Sequence, residues 1–176
     1  MKRKILIVGV LLVGLAFSSS AEEKFHAFQI SLFNPVQLHP DDESVDFLRL
    51  NLIYGVSEHV EGIDIGLFNR TTGRMEGVAI GLYNRVEDYA DALQIGLVNI
   101  VDGEFLHYQL GLYNRAGVNS SGQIGLVNVT DAIQDGFQFG LINYTGEFIS
   151  TGFQIGLINI SSAGPRKFLP IVNWQW

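Results

Sequence analysis

Gln94-Ile95-Gly96-Leu97-Val98-Asn99 decides the fold, because most of the chain is this hexapeptide written again. Complete and degenerate copies together make ten units, and most successive units lie 15 residues apart. The central residues of the ten units are Ser31, Asn51, Gly66, Gly81, Gly96, Gly111, Gly125, Gly140, Gly156 and Pro170. Such a fixed period indicates a repeat architecture, since a single unit cannot bury its apolar face alone.

The composition narrows the class of protein. A chain of 176 residues allows one domain, and its 20 glycines argue against a helical protein. The chain has no cysteine, so disulfides, cysteine-ligated metals and thiol nucleophiles are excluded. The formal net charge of -7 disfavours a nucleic-acid partner, which calls for a basic surface.

The first residues have the pattern of an export signal. Residues 2–4 are basic, residues 5–17 are apolar, and Ser-Ser-Ala at 19–21 is a small-residue cleavage site. A membrane-spanning anchor would need about 20 apolar residues, which this stretch does not reach. We therefore predict a signal peptide over 1–21, a single all-β repeat domain over 22–176, and a protein exported from the cytoplasm.

Within each unit, alternating residue types indicate a β-strand. In residues 93–98, Leu and Ile occupy one face of the strand, while Gln, Gly and Val occupy the other. Turn signals such as the Asp-Gly pair at 102–103 lie midway between units, and Asp-Gly between strands favours a tight hairpin. Two-residue turns at these points predict antiparallel neighbours, with Leu67 facing Val78.

Strands of this length would be able to cross a membrane. A strand of about 13 residues reaches roughly 43 Å, and its apolar stretch of ~26 Å matches the ~25 Å lipid-facing band of outer-membrane barrels. An even number of strands brings both termini to one side. The terminal Trp174-Gln175-Trp176 resembles the C-terminal recognition signal of such barrels. These features predict an all-β fold in which a ten-unit antiparallel β-meander closes into a barrel.

A parallel β-solenoid with one 15-residue unit per coil is the alternative. Its corners would fall at positions such as Gly77 and Gly152, and its asparagines would stack from coil to coil. The near-identity of all units favours this fold, and Trp174 shares a face with Pro170, which is out of phase with the barrel. A solenoid would, however, expose a row of large apolar side chains, which is unusual without a partner. Both architectures stay open, and the barrel is preferred.

The repeats resemble a family of bacterial secreted surface-repeat proteins. Units of that family have the pattern G-x-Q-[Ile or Val]-G-L-x-N, and they end on a Phe/Leu-Pro-x-x-Asn-x-x-aromatic segment, which here is residues 168–176. Residues 33–38 and 50–55 also resemble the start of that family. The resemblance implies an exported envelope or surface protein, and it brings no enzymatic activity or catalytic residues.

The sequence predicts no catalytic, cofactor-binding or metal-binding residue, and hence no enzyme and no cofactor. The four histidines, His26, His39, His59 and His107, fall in no metal-binding spacing. The acidic run at 41–43 offers carboxylates of the kind that Ca²⁺ prefers, but it lacks the spacing of an EF-hand and favours a solvated turn. A row of glutamines either lines a polar lumen, binds sugar or pairs within the sheet: Gln94, Gln109, Gln123, Gln138 and Gln154.

Two functions follow from the two architectures. The preferred one is a non-enzymatic outer-membrane β-barrel with a structural or surface role, whose partner is outer-membrane lipid. The alternative is a soluble secreted or periplasmic β-solenoid that acts as a binding or adhesion module for a surface protein or a glycan.

Overall fold

The computed structural model describes residues 23–163 and 167–175, and it contains strands and no helix within these ranges. The predicted signal peptide over 1–21 lies outside the described residues. The strands are β1 (Phe25–Phe33), β2 (Val36–Gln37), β3 (Ser44–Ser57), β4 (Val60–Thr71), β5 (Arg74–Ile80), β6 (Tyr83–Val86), β7 (Tyr89–Ile95), β8 (Val98–Leu110), β9 (Tyr113–Asn119), β10 (Gly122–Ile124), β11 (Val127–Ile133), β12 (Gly136–Phe139), β13 (Ile142–Phe148), β14 (Gly152–Ser161) and β15 (Phe168–Gln175).

Successive units stack in parallel and in register, which makes the molecule a β-solenoid of about 9 turns. The Cα of Ile80 in β5 is paired with Ile65 in β4 on one side and with Ile95 in β7 on the other. Asn84 in β6 lies in the same way between Asn69 and Asn99. The prediction of an all-β repeat fold is thus confirmed, in the form of the parallel alternative.

The predicted antiparallel barrel is wrong. Val78 pairs with Ile63 rather than Leu67, and both strands run in the same direction. The chain bends at residues 81–82 and again at 87–88, so that one unit supplies two strands of one coil instead of one long strand. The physical reason is that parallel stacking brings the identical amides of every unit into contact, whereas hairpins would carry those of alternate units to opposite ends.

Positive φ angles recur at one position of the stack. Gly62 and Gly77 have φ values of 108° and 123°, and His107, two coils above Gly77, has a φ of 73°. Backbone with positive φ is accessible to glycine without cost and strained for most other residues. Gly77, where a corner was expected, thus has an irregular backbone but lies inside β5, and Gly152 is the first residue of β14.

The interior of the coil is narrow and largely polar. Nine of its buried apolar residues form one cluster: Val60, Met75, Ala79, Val86, Ala90, Ala92, Val101, Phe105 and Ala116. Beside it run two rows of completely buried amides, one of asparagine and one of glutamine. The large aliphatic residues of the hexapeptide point outward instead.

Both ends of the solenoid carry an antiparallel strand. At the C-terminal end β15 runs antiparallel to β14, where Trp174 is paired with Phe153. At the N-terminal end β2 folds back on β1. The phase difference seen at Pro170 and Trp174 arises from the register, because Ile171 rather than Pro170 is paired with Gly156, and Asn173 with the buried Gln154. Trp176 lies outside the described residues.

Candidate functional site

The largest exposed feature is a double row of aliphatic side chains, which we call the apolar ridge. Each of eight successive units contributes two outward residues, one on each side of the central position of the hexapeptide. The members are Leu50, Leu52, Ile65, Leu67, Ile80, Leu82, Ile95, Leu97, Leu110, Leu112, Ile124, Leu126, Phe139, Leu141, Ile155 and Leu157. All of them except the half-buried Leu110 and Ile155 are exposed.

Glycine forms the floor of a groove between the two rows. A Cβ on Gly96 would lie 2.6 Å from the carbonyl oxygen of Gly81 and 2.8 Å from Nδ2 of Asn84. Contacts this short force the neighbouring backbone to move, so glycine is required by lack of space. At the C-terminal end the groove widens into an apolar pocket whose lining includes Leu126, Leu141 and Ile171.

An asparagine ladder beneath the groove holds the bend. Asn84 donates from Nδ2 to Oδ1 of Asn99 at 2.8 Å and to the carbonyl oxygen of Ile95 at 3.1 Å. Asn99 repeats the pattern toward Asn114 and Leu110 at 2.9 and 3.0 Å. The ladder continues without a gap from Asn69 to Asn159. Each asparagine amide therefore donates to the asparagine of the next coil. A buried network in which every amide is paired specifies a unique register between coils.

A glutamine ladder runs in the opposite direction. Gln109 donates from Nε2 to Oε1 of Gln94 at 2.8 Å and to the carbonyl oxygen of Arg115 at 3.1 Å. Gln123, Gln138 and Gln154 repeat this toward the N-terminal end. These glutamines are fully buried and bonded to each other, so of the three roles considered for them the structure shows pairing within the sheet, rather than a lumen lining or a sugar site.

The glutamine ladder ends in a different way at each end. Asn173 in β15 donates to Oε1 of Gln154 at 3.0 Å and closes the glutamine ladder. At the other end Ala79 stands where the next glutamine would be, and Nε2 of Gln94 is left without a partner. Beneath Ala79 a buried ion pair fills the row, in which Arg49 donates to Asp64 at 2.9 and 2.5 Å. The second and third units thus replace neutral amides with a paired cation and anion, which are satisfied when buried together.

Arginines and acids line one border of the apolar ridge. Arg85 donates to Oδ2 of Asp102 at 2.8 Å, and Arg115 donates to the other carboxylate oxygen at 3.3 Å. The hydrogen bond to Asp102 raises the pKa of Arg85. Partly exposed pairs of this kind contribute little to stability, and they mark where the apolar surface ends.

The histidines occupy three separate places. Nε2 of His59 lies 3.2 Å from Oε1 of Glu23, and Nδ1 of His107 is paired with Oδ1 of Asp91. His26 and His39 meet at the N-terminal end with their rings stacked, 3.5 Å apart between centroids and 6° from parallel. Sequence reasoning did not find this pair, because the two residues are 13 positions apart and no short motif joins them.

The acidic run predicted as a solvated turn splits into two parts. Asp41 accepts a hydrogen bond from Asn34 at 2.9 Å, and Asp42 is exposed. Glu43 turns toward the histidines, where Nε2 of His26 lies 2.7 Å from its Oε2. Hydrogen bonds from Lys24 and then His26 lower the pKa of Glu43, so its carboxylate is ionised near neutral pH.

No family model matches the chain, and no curated protein or solved structure matches it either. Across the described ranges, none of the chain forms a helix with the length and hydropathy that crossing a membrane requires.

Proposed function

We propose that this chain is an exported, non-enzymatic binding module of the bacterial envelope or surface, which docks through the apolar ridge on a second copy of itself. The observation that supports this most is the ridge, in which eight units hold aliphatic or aromatic side chains toward solvent. The largest apolar patch of a typical monomer covers ~300–600 Å², and larger patches mark binding surfaces.

The size of the ridge suits a stable pair. Eight units at ~4.8 Å per coil give a length of about 34 Å. The rows on either side of the ridge are also partly exposed, for example at Ile63 and Phe68, and the six strand residues from one flanking row to the other give a width of about 20 Å. The resulting area is on the order of 700 Å² per copy, close to the ~800 Å² that each partner buries in a standard interface. The ridge together with its two flanking rows is thus large enough for self-association.

The shape of the ridge is complementary to itself. Two aliphatic rows flank a groove floored by glycine, so a row of one copy fits the groove of another at the same ~4.8 Å repeat. Strand addition at the ends is hindered, because β2 and β15 run antiparallel to the stack and irregular ends resist edge-to-edge pairing. The lateral surface is the one left for association. A lipid surface is disfavoured, since anionic phospholipids repel a chain with a net charge of -7.

Sedimentation velocity on the purified protein, expressed as the full-length chain, tests the proposal. We expect a concentration-dependent dimer for the unchanged chain and a monomer for the double variant Leu97→Glu/Leu112→Glu, which places charge on the ridge. Ile149→Glu is the matched control, because Ile149 is exposed in the bend after β13, away from the ridge. The control should dimerise as the unchanged chain does.

A monomeric unchanged chain would overturn self-association. Flotation with phosphatidylethanolamine–phosphatidylglycerol vesicles then separates the remaining cases. Vesicle binding that Leu97→Glu/Leu112→Glu abolishes would assign the ridge to a lipid surface, and no binding in either assay would reject the ridge as the docking site.

A further inference from the structure

Three metal-ligating side chains meet at the N-terminal end of the solenoid, far from the middle of the apolar ridge. His26 lies on β1, His39 follows β2, and Glu43 directly precedes β3. Taking one nitrogen or oxygen atom from each residue, all three atoms lie within 4.8 Å of one another. Within the described ranges this is the one such group of three or more.

The fold positions this cluster through backbone contacts. β1 pairs in parallel with β3, which places His26 opposite Val45 and so close to Glu43. The His39 backbone is held by Gln29, which accepts from its N–H at 3.0 Å and donates to its carbonyl oxygen at 2.8 Å. Gln37 donates to the same carbonyl oxygen at 2.8 Å. The cluster therefore rests on the sheet and on the fully buried Gln29.

We propose that His26, His39 and Glu43 bind one Zn²⁺ ion or a similar divalent transition-metal ion. Two imidazoles and one carboxylate form a donor set that zinc accepts at 2.0–2.2 Å, with a fourth position left for water. Nitrogen ligands favour such a metal over Ca²⁺ or Mg²⁺, which prefer oxygen donors. The calcium alternative for the acidic run is not supported by the placement of Asp41 and Asp42, which do not join the cluster.

Binding needs a small rearrangement. Ligand atoms around tetrahedral zinc lie about 3.3 Å apart, given bonds of ~2.0–2.1 Å. Nε2 of His26 and Oε2 of Glu43 are already 2.7 Å apart, and no separation in the cluster exceeds 4.8 Å. The longest separation must therefore shorten by at most ~1.5 Å, and the stacked rings must rotate apart. Lys24 also occupies Oε1 of Glu43 at 3.1 Å, but its side chain is 70% exposed and is free to swing into solvent. The ion would then join β1, the crossover and the start of β3 at one point, which stabilises the first coil.

Titration of the EDTA-stripped protein with Zn²⁺ by calorimetry tests the site, and Co²⁺ serves as a spectroscopic probe of four-coordination. We expect one Zn²⁺ per chain, visible Co²⁺ bands typical of four-coordination, and no heat with Ca²⁺. His26→Ala and His39→Ala should each weaken Zn²⁺ binding at least tenfold and remove the Co²⁺ bands. His107→Ala is the matched control, since that histidine is also paired with an acid but lies outside the cluster, and it should bind as the unchanged chain does.

Lys24→Ala gives a second measurement that does not disturb the ligands. Removing the competing ammonium should tighten Zn²⁺ binding several-fold, which a merely structural role for the cluster would not produce. The absence of stoichiometric Zn²⁺ binding would overturn the proposal, and so would equal affinity in His26→Ala, His39→Ala and the unchanged chain. Because the assay does not depend on dimerisation, failure here leaves the proposal for the ridge standing.

Discussion

The inward and outward residues of one hexapeptide reverse the usual distribution of polarity. Gln94 and Asn99 are completely buried, whereas Ile95 and Leu97 of the same stretch are 38% and 48% exposed. The amides are buried at little cost because each has a partner in the coil above or below, and the aliphatic residues are left outside because a narrow coil has no room for them. In this molecule, the polar interior determines the stacking and the apolar exterior is available for contact.

Exchanging an asparagine inside the coil should have the largest effect on stability. Asn99→Leu keeps the branched shape of the side chain but leaves Oδ1 of Asn114 without its donor and removes the acceptor of Asn84. Unsatisfied buried polar groups cost about 1–3 kcal/mol each, so we expect a loss of about 3 kcal/mol in the free energy of unfolding, measured by urea denaturation. A loss below about 1 kcal/mol would show that the ladder does not hold the coils together.

Filling the groove floor should come next. Gly96→Ala places a Cβ against the backbone of the preceding coil and against two amides of the asparagine ladder. Overpacking of this kind costs about 1–3 kcal/mol, and we expect about 2 kcal/mol by the same urea titration. Gly73→Ala is the comparison, because its Cβ would meet mainly the ring of His59, a side chain that is able to move. Equal losses in the two variants would contradict the close approach at Gly96.

The middle and the end of the glutamine ladder should differ by a smaller amount. Gln123 donates to Gln109 and to the carbonyl oxygen of Val129 and accepts from Gln138, while Gln94 accepts from Gln109 and leaves its own Nε2 unpaired. Gln123→Met breaks two more hydrogen bonds than Gln94→Met, and at ~0.5 kcal/mol or more for each bond it should cost at least about 1 kcal/mol more. Chemical denaturation of the two variants side by side measures the difference. A larger loss of stability for Gln94→Met than for Gln123→Met would contradict the hydrogen-bond pattern of the glutamine ladder.

The smallest effect belongs to the ridge. Leu97→Asn introduces on the outside the same residue type that is essential two positions away, and we expect a change within about 0.5 kcal/mol in the unfolding of the monomer. The measurement belongs at low protein concentration, where the ridge is not covered by a second copy. A loss of several kcal/mol would mean that Leu97 is buried in a core, and that the aliphatic face of the hexapeptide points inward rather than outward.

The period of the repeat and the all-β class could be predicted from the hexapeptide alone, whereas the stacking of asparagines followed only from the solenoid alternative. The relative direction of the strands and the face that points outward could not be predicted. The alternation at Gln94 and Ile95 is the same in an antiparallel strand whose aliphatic face meets lipid as in a parallel coil whose aliphatic face meets solvent. The assumption of a two-residue turn near 72–73 then fixed the wrong neighbours. The bend at Gly96-Leu97 distinguishes the two folds, but its sequence is also typical of the middle of a strand. Only the structure shows that a Cβ on Gly96 would clash with the preceding coil.

The site was less accessible to sequence reasoning. The ridge was not predicted as a solenoid surface, because its members were assigned to lipid in the preferred barrel. The ladder that the solenoid alternative was expected to expose is a neighbouring row: Phe68, Tyr83, Val98, Tyr113, Val127, Ile142 and Ile158. The pair of His26 and His39 with Glu43 depends on how β1, β2 and β3 are arranged. No local spacing encodes that arrangement, because the first unit is degenerate and its crossover is longer than the others.

Parallel stacking is tested most directly by spin labels at two pairs of positions, and the chain has no native cysteine to interfere. The N–H of Leu82 donates to the carbonyl oxygen of Leu67 at 3.0 Å, so labels on Leu67→Cys/Leu82→Cys should lie on adjacent coils with backbones ~5 Å apart. We expect strong dipolar broadening in that variant and weak broadening in Leu67→Cys/Val78→Cys. Strong broadening of the 67/78 pair together with weak broadening of the 67/82 pair would show antiparallel hairpins and contradict the solenoid.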